Sequence, residues 1–149
     1  MSKLNSRFRY MYDAAPAAAL LPKDGVAKTA SFDGPTITLD KLNGFWNVPS
    51  IAADTVFPVA INVTALDKTT GDETYTLELE FGTAGFAQTV RTHVLAVKAT
   101  GQLVALVDID TVTALLGARP AVLRLKGTLA GTTPSITAHA FLAGNIKGQ

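Results

Sequence analysis

The sequence predicts an all-β domain: a single jelly-roll-like antiparallel sandwich of about eight strands, with one short helical turn and an extended N-terminal arm. Three observations predict it. From residue 35 onward, short β-like runs recur about every ten residues, punctuated by Gly, Pro, Thr and Asp turn signals. Several of these runs alternate apolar with polar residues, as strands with one solvated face do. The chain has 149 residues, 48% hydrophobic and 17% charged, which suits one globular domain with one core.

Residues 1–34 read as an arm or lead-in: periodicity is weak, and Pro16 and Pro22 break any helix. Residues 35–149 read as the sandwich. "PTITLD" sets Ile37 and Leu39 against Thr36 and Thr38, and "GFWNV" places Phe45 and Trp46 ahead of Pro49. "TVFPVAINVTAL" is rich in β-branched residues, and Pro58 suggests an edge or a bulge near its start. "TTGD" is a turn; "DETYTLELEF" then alternates, with Tyr75, Leu77, Leu79 and Phe81 on one side and Glu78 and Glu80 on the other. "GTAGF" is a further turn, and "AQTVRTHVLAVKAT" a long run leading into Gly101. "QLVALVDI" is almost continuously apolar, the pattern of a strand buried on both faces. In "DIDTVTALLGA", Asp110 or Thr111 would cap a helical turn, Leu115 and Leu116 would face inward, and Gly117 would end it. "AVLRLKGTL" opposes Leu123 and Leu125 to Arg124 and Lys126, and "PSITAHAFLAG" aligns Ile136, Ala138, Ala140 and Leu142 on one side.

Composition narrows the function. Thirteen basic against twelve acidic residues give a net charge of +1, which argues against a nucleic-acid partner and mildly favours self-association. With no cysteine there is no disulfide framework, thiolate nucleophile or sulfur-ligated metal. No run approaches the ~20 apolar residues of a membrane span, and Asp13 and Pro16 interrupt the Ala/Leu-rich stretch that would otherwise resemble a signal peptide. The expectation is a soluble protein made in the cytoplasm.

Glu78 and Glu80 are the first candidates for chemistry. Their Cα atoms stand ~6.6–6.8 Å apart on a strand, so paired carboxyls of glycosidase type are geometrically open. "ELEFGT" is similar to the Glu-x-Asp-x-x-Glu strand motif of jelly-roll β-glucanases, but Glu80 replaces the central Asp and Thr83 stands where the proton donor belongs. Alternation of Leu and Glu is also what a half-solvated strand looks like, with Arg124 and Lys126 spaced to be cross-strand partners. That reading is preferred. His93 and His139 are far apart and lack metal-ligand spacing. Asp108 and Asp110 lack the remaining ligands and the glycine of a calcium loop. No Gly-x-Ser-x-Gly elbow or phosphate loop occurs. Catalytic, cofactor and metal residues are therefore all expected to be absent.

"NVTALDKTTGDETYTLELEF", followed by "LRLKGTLAGTTPSITAHAFLAG", resembles small head proteins of tailed bacteriophages, the capsid cement or decoration proteins. The likeness runs from about Pro35 to Gly144 and rests on framework and turn motifs. It implies a non-enzymatic virion protein on the capsid exterior, commonly a homotrimer, that stabilises contacts between major capsid subunits without small-molecule substrate, nucleic acid or membrane. Arg7, Phe8, Arg9, Tyr10 and Tyr12 are the candidate partner contacts, because Arg and aromatic residues are enriched at interface cores. Two other classes remain open: a carbohydrate-binding or host-adhesion module of a tail or fibre, which would use Trp46, and a small hydrolase using Glu78 and Glu80.

Overall fold

A computed structural model describes residues 19–39 and 56–142. Nine strands lie in these residues: β1 (Ala19–Leu21), β2 (Phe32–Asp33), β3 (Ile37–Thr38), β4 (Val56–Leu66), β5 (Thr74–Gly82), β6 (Thr89–Ala96), β7 (Gly101–Asp108), β8 (Val122–Ala130) and β9 (Ile136–Leu142). A 3-10 turn (Ala84–Phe86) follows β5, and one α-helix, α1 (Ile109–Leu116), links β7 to β8. The strands form two antiparallel sheets, as an all-β sandwich requires. The first has the order β1-β9-β4-β7; the second runs β2-β8-β5-β6, with β3 pairing further along β8.

The pairing is nested. β5 pairs β6, β4 pairs β7, β8 pairs β2 and β3, and β9 pairs β1, so the chain runs as one long hairpin folded back on itself. Two further pairings, β4 with β9 and β5 with β8, close each sheet at its centre.

Alternation decides what is buried. Tyr75, Leu77, Leu79 and Phe81 of β5 all point inward, as do Leu123 and Leu125 of β8 and Ile136, Ala138, Ala140 and Leu142 of β9. Val59, Ile61 and Val63 of β4 lie beside the β9 residues in the first sheet and join the same core. Full burial of one such Leu or Phe is worth about 1.5–3 kcal/mol.

Three expectations change. Residues assigned to the lead-in belong to the sandwich: β1 pairs β9 and buries Leu20 and Leu21, while β2 pairs β8. These strands are too short for any period to show in the sequence. β7 is not buried on both faces. It is an edge strand that pairs only β4 among the described residues, with Val104 55% and Leu106 57% exposed. Finally, α1 starts earlier than its motif suggests. Asp108 caps it by accepting from the Asp110 N–H, so Ile109 and Val112 face the core and Leu115 faces out. Gly117 ends the helix in the left-handed conformation, as expected.

β4 is interior, and among the described residues β9 pairs it from Val59 onward, so Pro58 stands at the limit of that pairing rather than at an edge or a bulge. Towards β7, Pro58 stands opposite Leu106.

Candidate functional site

Glu78 and Glu80 do share the outer face of β5, opposite Lys126 and Arg124 respectively. Only part of the expected solvated ladder forms. Glu80 is almost fully buried, at 3% exposure. Its Oε1 accepts from Arg124 Nε at 2.6 Å, and its Oε2 accepts from Arg91 Nε of β6 at 3.2 Å. Arg91 also reaches Glu78 Oε1 through Nη1 at 3.3 Å. Lys126 leaves Glu78 and donates instead to Asp33 of β2, which Arg124 meets at 3.4 Å. The network thus spans every strand of the second sheet from β2 to β6.

Phe86 covers it. The Arg124 guanidinium lies 4.1 Å from the ring centre, a cation–π contact. Gly82 makes room for this lid, since a Cβ there would come within 2.7 Å of the Phe86 ring. Both Glu80 oxygens accept from guanidinium N–H groups. The Lys126 hydrogen bond, with help from Arg124, holds the Asp33 carboxyl below its usual range.

The histidines serve different places. His93 lies at a β-bulge in β6, where the register against β5 slips between Leu77 and Leu79, and its φ of 56° is left-handed. This costs a non-glycine residue of order 1 kcal/mol. The conformation sends the ring across to the first sheet, where Nε2 donates to the Leu106 carbonyl at 2.6 Å and Nδ1 accepts from Thr92 Oγ1 at 2.9 Å. His139 sits on the outer face of β9, accepting through Nε2 from Asn62 Nδ2 at 3.0 Å. Burial, with the nearby Lys23 charge, lowers its pKa. Asp108 and Asp110 are explained by the helix cap. Among the described residues, no three His, Asp or Glu side chains gather as metal ligands.

A third locus joins the two quoted motifs. Tyr75 Oη donates to the Asp67 carbonyl and accepts from the Ser135 N–H, while the Asp67 N–H donates to the Ser135 carbonyl. Thr132 donates to Asp72 from both its N–H and its hydroxyl, and the Thr133 hydroxyl donates to Glu73. Gly131, at φ 113°, packs so closely that a Cβ would lie 2.7 Å from the Glu73 Cα. "DKTTGDETY" and "GTTPS" therefore form one hydrogen-bonded corner.

Over its central stretches the outer face of the first sheet has no charged counterpart. Pro58–Thr64 of β4, Gln102–Val107 of β7 and Thr137–Leu142 of β9 contain no Asp, Glu, Lys or Arg. Val104 lies beside Ala60 and Leu106 beside Pro58, with Phe141 on the other side of Ala60. Arg7, Phe8, Arg9, Tyr10, Tyr12 and Trp46 lie outside the described residues. Sequence reasoning missed Arg91 and Asp33 as members of the network, the His93 bulge and the open β7 edge. No signal in the sequence marks that edge, because an uncharged apolar run is equally the pattern of a buried strand. Comparison of the chain with protein-family models, curated proteins and solved structures finds no match.

Proposed function

We propose that the chain is a capsid cement protein: a non-enzymatic component on the exterior of a tailed-phage head that binds across major capsid subunits. The observation that carries the reading is the corner. The residues that resemble phage head proteins, separated by 60 positions at Tyr75 and Ser135, interlock as one structural unit. The likeness thus concerns a folded feature rather than scattered identities.

The nested pairing supports the finer reading of the sandwich as a jelly roll, in which a folded-over hairpin is wrapped into two sheets. The uncharged outer face of the first sheet fits a part that works by burying surface, because interface cores are depleted in charge. Shell binding multiplies a modest contact over many identical positions.

Co-sedimentation with heads built from the cognate major capsid protein and stripped of decoration tests the reading. Saturable binding that raises the temperature at which heads rupture is expected; heads that pellet without the chain overturn it. Deleting residues 2–12 should weaken that binding while leaving the sandwich folded, and undiminished occupancy would remove the arm from the contact.

A further inference from the structure

We propose that the edge of β7, unpaired among the described residues, is a self-association surface, pairing antiparallel with β7 of a second copy about a two-fold axis in the Gln102–Leu106 stretch. Two four-stranded sheets would become one continuous sheet. The inference does not rest on the capsid reading, and it departs from the homotrimer that the resemblance implies.

The direction of the main-chain groups comes first. His93 takes the Leu106 carbonyl from outside the sheet, so that carbonyl points away from β4. Opposite Leu106 stands Pro58, which has no N–H to exchange, in keeping with a non-hydrogen-bonded pair. Main-chain groups alternate along a strand, so Val104 and Gln102 also aim theirs at the free edge. Unpaired edge groups are a template for another strand.

The choice of a second copy rests on charge and on the other edges. No residue from Gly101 to Val107 is charged, so identical strands meet without like-charge repulsion. The other long edge, β6, carries Arg91 and is bent by the His93 bulge. On the remaining edges β1 spans three residues, and β2 and β3 two each. From Gly101 to Val107, β7 is thus the one long, regular, uncharged edge among the described residues. Its outward side chains, Val104 and Leu106, would lie against the same stretch of the copy and gain shelter. The Leu106 carbonyl keeps a second lone pair for the incoming strand beside His93.

Edge pairing of one strand buries an area at the low end of stable interfaces, so the association is reversible and depends on concentration. Sedimentation velocity from low-micromolar to near-millimolar full-length protein should show a monomer–dimer equilibrium. Val104→Lys combined with Leu106→Lys places like charges across the axis and should weaken dimerisation about tenfold or more. Hydrogen exchange at the Gln102 and Val104 amides should slow as wild-type concentration rises and not in the variant. Far-UV circular dichroism of the variant should match wild type, since both side chains are exposed. Three results overturn the proposal: a wild-type chain that stays monomeric throughout, a trimer, or a dimer that persists in the folded double variant. The last two would assign association to another surface, such as the N-terminal segment. If the double variant fails to fold, Gln102→Lys, which places its charge on the same edge, is read in its place by the same criteria.

Discussion

The two sheets alternate in the same way, yet their outer faces differ in kind. On the second sheet, Asp33, Arg124, Lys126, Glu80, Glu78 and Arg91 neutralise one another across the strands, with Glu80 buried beneath them. On the first sheet the corresponding positions hold Pro58, Ala60, Asn62, Val104, Leu106 and Phe141, and the large aliphatic ones on β7 stay exposed. Among the described residues, one face satisfies its polar groups internally, whereas the other leaves apolar side chains exposed beside an unpaired edge. Substitutions on the two faces should therefore fail in different ways.

The sharpest break comes at Glu80. Glu80→Ala removes the carboxylate that both Arg124 and Arg91 are built around and leaves their guanidinium groups side by side. Removing one partner of a buried pair typically costs about 3–5 kcal/mol, and the exposure of Arg91 places this case near about 3 kcal/mol. Urea unfolding should show the loss as a lower midpoint with an unchanged slope. A shift below about 1 kcal/mol would mean that the network is no stronger than an exposed surface pair.

Next is the corner shared by the two motifs. Tyr75→Phe keeps the buried ring but leaves the Asp67 carbonyl and the Ser135 N–H without their hydroxyl partner. A loss of about 1–3 kcal/mol is expected for such unsatisfied groups. Thermal unfolding checks it, and an unchanged melting temperature would show that water replaces the hydroxyl at no cost.

These two sites show what was legible in the sequence. Tyr75, Leu77, Leu79 and Phe81 announce their core role because a period of two leaves no other face for them. Ile136 to Leu142 do the same for β9. Glu80 is different. Its alternation marks it as outward, but the identity of its cover (Arg91 from the next strand and Phe86 from a turn) depends on pairing between strands, which no local pattern encodes. "QLVALVDI" failed for the converse reason. An apolar run describes side chains and not which strand lies alongside, so an open edge and a buried centre read alike. The cap lies two or three residues before the expected Asp110 or Thr111, because Asp108 and Asp110 are equally good caps until the end of β7 is fixed by its pairing with β4.

Acidity separates the faces more gently. His139, on the uncharged face, has a folded pKa lowered by burial and by Lys23. The unfolded chain therefore binds the proton first. The stability contributed by neutral His139 is complete above about pH 6.5 and declines as pH falls from there towards the folded value. Asp33, on the charged face, is also lowered, chiefly by Lys126, so its contribution holds above its ordinary value of 3.8 and is lost below it. Melting temperature followed downward from pH 7 should decline first through the histidine step and again in strong acid. His139→Gln should flatten the first decline only; an unaltered profile would assign that step to another group.

The smallest effect is the most discriminating for the open face. Val104→Thr preserves shape and β-branching while exchanging a methyl for a hydroxyl, at a side chain that is 55% exposed. On an uncovered face the hydroxyl is hydrated, and stability of the dilute chain should stay within about 0.5 kcal/mol of wild type. Were Val104 covered by another part of the same chain, the substitution would bury an unpaired hydroxyl at about 1–3 kcal/mol. Denaturant titration at low concentration therefore distinguishes a face open to other molecules from one closed by the chain itself. The same titration at high concentration adds a second reading: a threonine deficit that appears only there belongs to the contact between copies.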